Sequence, residues 1–236
     1  MNETRPSGGR PDAWKQSGRL AVRGWLAPVV RVLVRLGVTA NLLTLAGLAL
    51  TGVGAYCFAR GRFTLGALWA IAGSLADAVD GAVARERGEV SAFGAFFDST
   101  VDRVSDTLLF LGVALYYFYL PVETGQTVSG VLTAKFFGED PVNDWLVGFS
   151  ALVALAGSYM VSYTRARAEG LGTDCKVGWF ERPERLIVLL GAALFGPGVL
   201  MEFALLILAV MTWFTVVQRV LHVRRRLGSA PLNPGG

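Results

Sequence analysis

Five aspartates, Asp77, Asp80, Asp98, Asp102 and Asp106, fall within the stretch DAVDGAVARERGEVSAFGAFFDSTVDRVSD, between two long apolar runs. Asp77, Asp80, Gly81 and Ala84 stand at i, i+3, i+4 and i+7, one face of a helix. Asp98, Asp102 and Asp106 stand at i, i+4 and i+8, again one face. A charged side chain inside a bilayer costs about 2.5–3.5 kcal/mol on insertion scales, and clustered carboxylates repel one another, so something positive must compensate them. Hard divalent cations with oxygen ligands do so. Two facing helices of this kind could hold two ions, which together clamp the oxygens of a phosphoryl group in transfer. Gly81 and Ala84 leave the surface beside the carboxylates open. Small residues also serve close helix packing, but beside four carboxylates the approach of a ligand is the favoured reading.

The chain that carries them is a membrane chain. Of its 236 residues 53% are apolar and 17% charged, with a mean hydropathy of +0.49. A soluble domain carries about a quarter charged residues. The net charge of +4 lies beside apolar runs, so it points to anionic lipid headgroups and not to nucleic acid. The polar N-terminus has no cleavable signal pattern. Cys57 and Cys175 are far apart and too few for a thiolate metal site, and His222 is the only histidine. His222 reads as the interfacial end of the sixth span, against Ser-His-Asp catalysis or a histidine-rich metal centre.

Six apolar spans follow, at 41–59, 63–85, 94–120, 144–166, 184–200 and 201–222, each set against a core of about 30 Å at 1.5 Å per residue. The last two are divided only by Gly196–Gly198. Residues 12–37 alternate apolar clusters with Arg19, Arg23, Arg31 and Arg35 and read as an amphipathic helix on the membrane surface, bent near Pro28. Residues 1–11 read as a disordered start, 12–226 as one membrane domain and 227–236 as a flexible tail. Residues 121–143 form the longest connection. Eighteen of the 22 basic residues fall on the side of the N-terminus and three on the other, Arg60, Arg62 and Lys135. That bias puts both termini in the cytoplasm. The short turn at 86–93 makes the two aspartate helices antiparallel, with the carboxylates near the cytoplasmic end, Asp77 being about 20 Å along its span. Tyr116, Tyr117 and Tyr119 read as an interfacial belt, and Arg103 and Asp106 as groups that pair within the bundle.

The spacing of Asp77, Asp80-Gly81, Ala84-Arg85, Gly94, Asp98 and Asp102 resembles the signature of the CDP-alcohol phosphotransferases. Members of that family move a phosphatidyl or similar group from a CDP-linked donor to an alcohol and release CMP. The resemblance implies that Asp77, Asp80, Asp98 and Asp102 bind two Mg2+ ions, with Mn2+ as the alternative. It also makes Asp102 the general base, since an alcohol is a weak nucleophile until its proton is taken. Asn41, Leu42, Leu43, Thr44, Gly81, Arg85 and Ser91 would contact the CDP-diacylglycerol. Where the family usually shows Thr-Pro before Asn or Asp, this chain has Thr39-Ala40-Asn41.

A second basic cluster bears on the acceptor. SYTRARAEG, ERPERLI and VQRVLHVRRR all meet the same face as the aspartates. Arg165, Arg182 and Arg219 could converge on one anion, because a guanidinium makes bidentate bonds to phosphate. Arg182 and Arg185 alternate with Glu181 and Glu184 in a pattern unlike ordinary flanking charge, whereas Arg224–Arg226 read as flanking charge. These segments are similar to the prokaryotic phosphatidylinositol phosphate synthases. The resemblance implies inositol 1-phosphate as acceptor, with Arg165 standing where that branch has a lysine, and a homodimer.

The expectation is thus an all-α integral membrane transferase of six transmembrane helices and an N-terminal amphipathic surface helix, in the cell membrane, its active site facing the cytoplasm. The nearest alternative is the same chemistry with glycerol 3-phosphate. A more distant one is a divalent-cation transporter, which would need acidic residues along a path to both sides.

Overall fold

The computed structural model describes residues 27–124 and 142–228. Among them the chain is all helical, without a strand: α1 (27–35), α2 (Ala40–Ala59), α3 (Phe63–Arg87), α4 (Ala92–Thr124), α5 (Val142–Gly170), α6 (Arg182–Ala193) and α7 (Val199–Leu227). Of the expected surface helix over 12–37, the described part is a helix over 27–35. Residues 12–26, the 1–11 segment, most of the 121–143 connection and residues 229–236 lie outside the described residues. Among the described residues four helices are long and apolar enough to cross a membrane: α2, α3, α5 from Trp145, and α7. At 33 residues α4 exceeds the length a crossing needs, but it carries Asp98, Asp102, Arg103 and Asp106.

Turn chemistry sets the helix ends. Gly37 and Gly88 adopt positive φ after α1 and α3, a conformation costly for residues with a Cβ. Thr39 caps α2 by accepting the Leu42 N–H at 3.4 Å. Ser91 caps α4 by accepting the Gly94 N–H at 3.0 Å. The turn between α3 and α4 is therefore only residues 88–91, and the two helices are antiparallel.

α2 packs most extensively against α3, along a seam of glycines. A Cβ on Gly47 would stand 2.9 Å from the Gly73 carbonyl oxygen, and one on Gly54 would stand 2.8 Å from that of Gly66. In lipid no apolar surface is hidden from water by this contact, so the attraction comes from close backbone approach. At the end away from the aspartates, Phe58, Phe63, Leu189, Met201, Leu205 and Leu208 form the core with Tyr116 and Tyr117. Those two tyrosines are buried, Phe63 meeting Tyr116 edge-on at 4.8 Å, and the Tyr117 hydroxyl donates to the Pro197 carbonyl at 2.9 Å. Tyr119 alone of the three is exposed, so the expected belt does not include Tyr116 and Tyr117. The Tyr117 hydroxyl finds its partner within the bundle, which lets that ring fill the core.

The span expected at 184–200 is a shorter helix. α6 has twelve residues, about 18 Å, and ends at Ala193. The reason lies in its two ends. Arg182 meets Asp77 of α3, and the Leu194 carbonyl accepts from Thr64 Oγ1, also of α3, at 3.1 Å. Thr64 to Asp77 is about 20 Å of helix. α6 therefore lies along α3 only from the depth of the carboxylates to the far end. Gly196, at positive φ, turns the chain into α7.

Candidate active site

α3 and α4 bring their aspartates face to face. Asp77, Asp98 and Asp102, all half-buried, each place a carboxylate oxygen within 4.8 Å of the others, a set that could hold a metal ion. Oxygen donors alone, and charged ones, suit a hard divalent cation. One further feature fits such an ion: Asp102 Oδ1 is buried and accepts no hydrogen bond. Arg182 Nη1 lies 2.5 Å from it as an ion pair, without the alignment a hydrogen bond requires. Asp80 stands apart from this triad. It is buried, and its Oδ2 accepts the Thr44 hydroxyl of α2 at 2.5 Å.

Two cavities flank the carboxylates. The larger, about 440 Å³, lies among α2, α3 and α4, and Asp80 and Asp98 open onto it. Of the residues expected at the nucleotide, Asn41, Thr44, Gly81, Arg85 and Ser91 line it. Leu42 and Leu43 do not. Leu42 is exposed, and Leu43 packs with Val30, Val79 and Val83, the small cluster that docks α1 on α2 and α3. Gly81 has no neighbour closer than Arg85, whose Nη1 would be 3.4 Å from an added Cβ.

The smaller cavity, about 190 Å³, lies among α4, α5, α6 and α7. Asp102, Arg165, Arg182 and Arg219 line it, as do Asp106 and Arg185. The three arginines expected there are differently engaged. Arg165, half-exposed, pairs with Glu169 at 2.9 Å on its own helix. Arg182 reaches across to Asp77 at 2.7 Å and to Asp102 at 2.5 Å. Arg219 is 2% exposed and already satisfied: it donates to the carbonyls of Val177 at 2.8 Å and Val161 at 2.5 Å, and to Glu181 at 3.1 Å.

Arg185, noticed in ERPER but given no role, is the residue missed. It is 3% exposed, and its Nη2 holds Asp106 Oδ2 at 2.9 Å. Its Nε and Nη1 are buried without a hydrogen-bond partner, donors left over in the wall of an arginine-lined cavity. The spacing of Arg182 and Arg185, i and i+3, was the available signal. Arg103 and Asp106 do pair within the bundle, though not with each other. Arg103 lies 3.6 Å from Asp102 and donates to the Ser99 carbonyl, while Asp106 takes Arg185 and Arg182. In the connection outside the spans, Lys176 bonds Asp174 at 2.9 Å and holds its carboxyl below the usual range.

Known proteins match this arrangement along most of the chain. The sequence model of the CDP-alcohol phosphatidyltransferase family covers residues 37–218. An archaetidylinositol phosphate synthase of Pyrococcus horikoshii is 36% identical over 210 residues, 89% of this chain and 96% of that protein. A phosphatidylinositol phosphate synthase of Streptomyces avermitilis is 38% identical over 216 residues, 87% of this chain and 80% of that one. The crystal structure of the Mycobacterium tuberculosis phosphatidylinositol phosphate synthase with CDP-DAG bound superposes with a TM-score of 0.68 at 33% identity, covering 84% of this chain and 92% of that one. The same enzyme in complex with manganese and citrate matches at the same score, covering 83% and 87%.

Proposed function

Since the chain belongs to the CDP-alcohol phosphatidyltransferase family, we propose that it transfers a phosphatidyl group from CDP-diacylglycerol to inositol 1-phosphate, forming phosphatidylinositol phosphate and CMP. Membership makes it an enzyme and removes the cation-transporter alternative. One observation carries the assignment: two cavities, one bearing the nucleotide motif and the other arginines, meet on a single carboxylate cluster.

Asp77, Asp80, Asp98 and Asp102 would hold two divalent ions, Mg2+ or Mn2+. When bound, such ions neutralise the charge on the transferring phosphoryl oxygens. Asn41, Thr44, Gly81, Arg85 and Ser91 hold the cytidine diphosphate in the larger cavity, where Gly81 lets it approach the α3 backbone. Leu42 and Leu43, outside that cavity, belong to the α2 turn that carries Asn41 and Thr44. Thr44 fixes the Asp80 carboxylate by its hydroxyl. In the smaller cavity Arg165, Arg182 and the free donors of Arg185 take the acceptor phosphate. Arg219 holds the α5–α6 connection in place and adds its charge.

Asp102 reaches both sides, because it lines the acceptor cavity and belongs to the carboxylate triad. It accepts the proton of the acceptor hydroxyl. The freed oxygen attacks the phosphorus on the lipid side of the pyrophosphate, the bond to the CMP oxygen breaks, and CMP leaves with that electron pair. Burial favours this chemistry by excluding water as a competing nucleophile.

The membrane reading accompanies it. Six crossings are completed by α2 to α7, with α6 needing only part of the thickness because the site lies below the surface. Both termini and the active site face the cytoplasm, where the water-soluble acceptor is found, and the enzyme is a homodimer. CMP release from CDP-diacylglycerol, measured with inositol 1-phosphate and with glycerol 3-phosphate in turn, tests the assignment. Turnover with the inositol acceptor supports it, and turnover with glycerol 3-phosphate alone would transfer the assignment to phosphatidylglycerol phosphate synthesis.

A further inference from the structure

Arg182 connects the two halves of the site. Its Nη1 lies 2.7 Å from Asp77 Oδ2 and 2.5 Å from Asp102 Oδ1, two of the three carboxylates that could hold a metal ion. A guanidinium and a divalent ion cannot share these positions. They repel each other, and the ion requires carboxylate oxygens at about 2.0–2.1 Å. The other edge of the same side chain faces the acceptor cavity, with Nε 3.5 Å from Asp106 Oδ1. Asp106 is itself fixed on its second oxygen by Arg185 at 2.9 Å. It therefore remains as an anchor when Nη1 lets go. Arg182 opens α6, with Pro183 beside it, so its backbone is held while the side chain turns.

We propose that Arg182 is an exchangeable counter-ion. It neutralises Asp77 and Asp102 until a divalent cation takes those oxygens, and it then turns toward the phosphate of the acceptor. Cation loading thereby completes the acceptor site. By linkage, the acceptor must tighten cation binding by the factor by which the cation tightens acceptor binding. The proposal rests on the functional reading above. It also explains Asp106, one turn beyond the signature aspartates: Asp106 is a positioning residue for both arginines.

The test is Mn2+ binding to the full-length, detergent-purified protein, read from the EPR signal of free Mn2+, first without any acceptor. Arg182→Gln removes the competing charge and is expected to tighten Mn2+ about tenfold. Arg182→Lys keeps the charge but loses the fork, and is expected to tighten it by about threefold. This second variant gives a reading if the first fails to fold. Added inositol 1-phosphate is expected to tighten Mn2+ about tenfold in the wild type and not in Arg182→Gln. Unchanged or weaker Mn2+ binding in the variants, or coupling that persists in Arg182→Gln, overturns the proposal alone. A wild type that binds no Mn2+ overturns the functional reading with it.

Discussion

Arg219→Met separates a structural arginine from a ligand-binding one. Among the described residues Arg219 is the largest fully buried side chain, and its hydrogen bonds go to Val177, Val161 and Glu181. Two go to backbone carbonyls, of Val177 at 2.8 Å and Val161 at 2.5 Å, which join the α5–α6 connection and α5 to α7. A hydrogen bond from a charged donor is worth about 1.5–3 kcal/mol. The third partner, Glu181, has a side chain 42% exposed; screening holds that contribution to about 1 kcal/mol or less. Methionine fills the stem's volume but donates nothing, so both charged bonds to backbone are lost, although the Val161 carbonyl keeps the Thr164 hydroxyl at 3.0 Å. The expected loss is about 3–5 kcal/mol. For a chain of this size that lowers the melting temperature by about 10 °C. The assay is the melting temperature of the detergent-solubilised protein, followed by size-exclusion fluorescence. A normal melting temperature with a raised KM for the acceptor would refute the reasoning and make Arg219 a direct phosphate ligand.

Asp102→Asn is expected to keep the fold and binding of CDP-diacylglycerol while abolishing CMP release. Substantial residual turnover would remove Asp102 as the base. Gly47→Leu forces a side chain toward the Gly73 carbonyl, 2.9 Å from the new Cβ. Backbone cannot yield there as a flexible side chain would, so a loss of about 1–3 kcal/mol is expected, measured by the same melting assay.

The aspartates were legible because their spacing alone puts them on two faces, and a short turn makes those faces meet. Helix positions were legible as well, since apolar runs in lipid have a required length. Lateral packing was less so. α2 is apolar on nearly every side, and lipid and a neighbouring helix ask for the same residue types, so nothing in its pattern distinguishes Thr44, facing Asp80, from Leu42, facing outward. The short α6 escaped length counting because Gly196–Gly198 breaks the run late, while its true extent is set by contacts with Thr64 and Asp77. Arginine roles were the hardest to read. Arg165, Arg182, Arg185 and Arg219 share one face by sequence, but one pairs on its own helix, one bridges the carboxylates, one keeps free donors and one ties loops together.

The central claim is that donor and acceptor occupy separate cavities meeting at one carboxylate cluster. Steady-state kinetics of Arg85→Gln and Arg165→Gln test it most directly, since Arg85 is exposed and Arg165 only partly buried, so neither removes a core contact. Arg85→Gln is expected to raise KM for CDP-diacylglycerol about tenfold with KM for inositol 1-phosphate unchanged, and Arg165→Gln the reverse. A rise in both constants in either variant, or the two effects exchanged, would contradict the account.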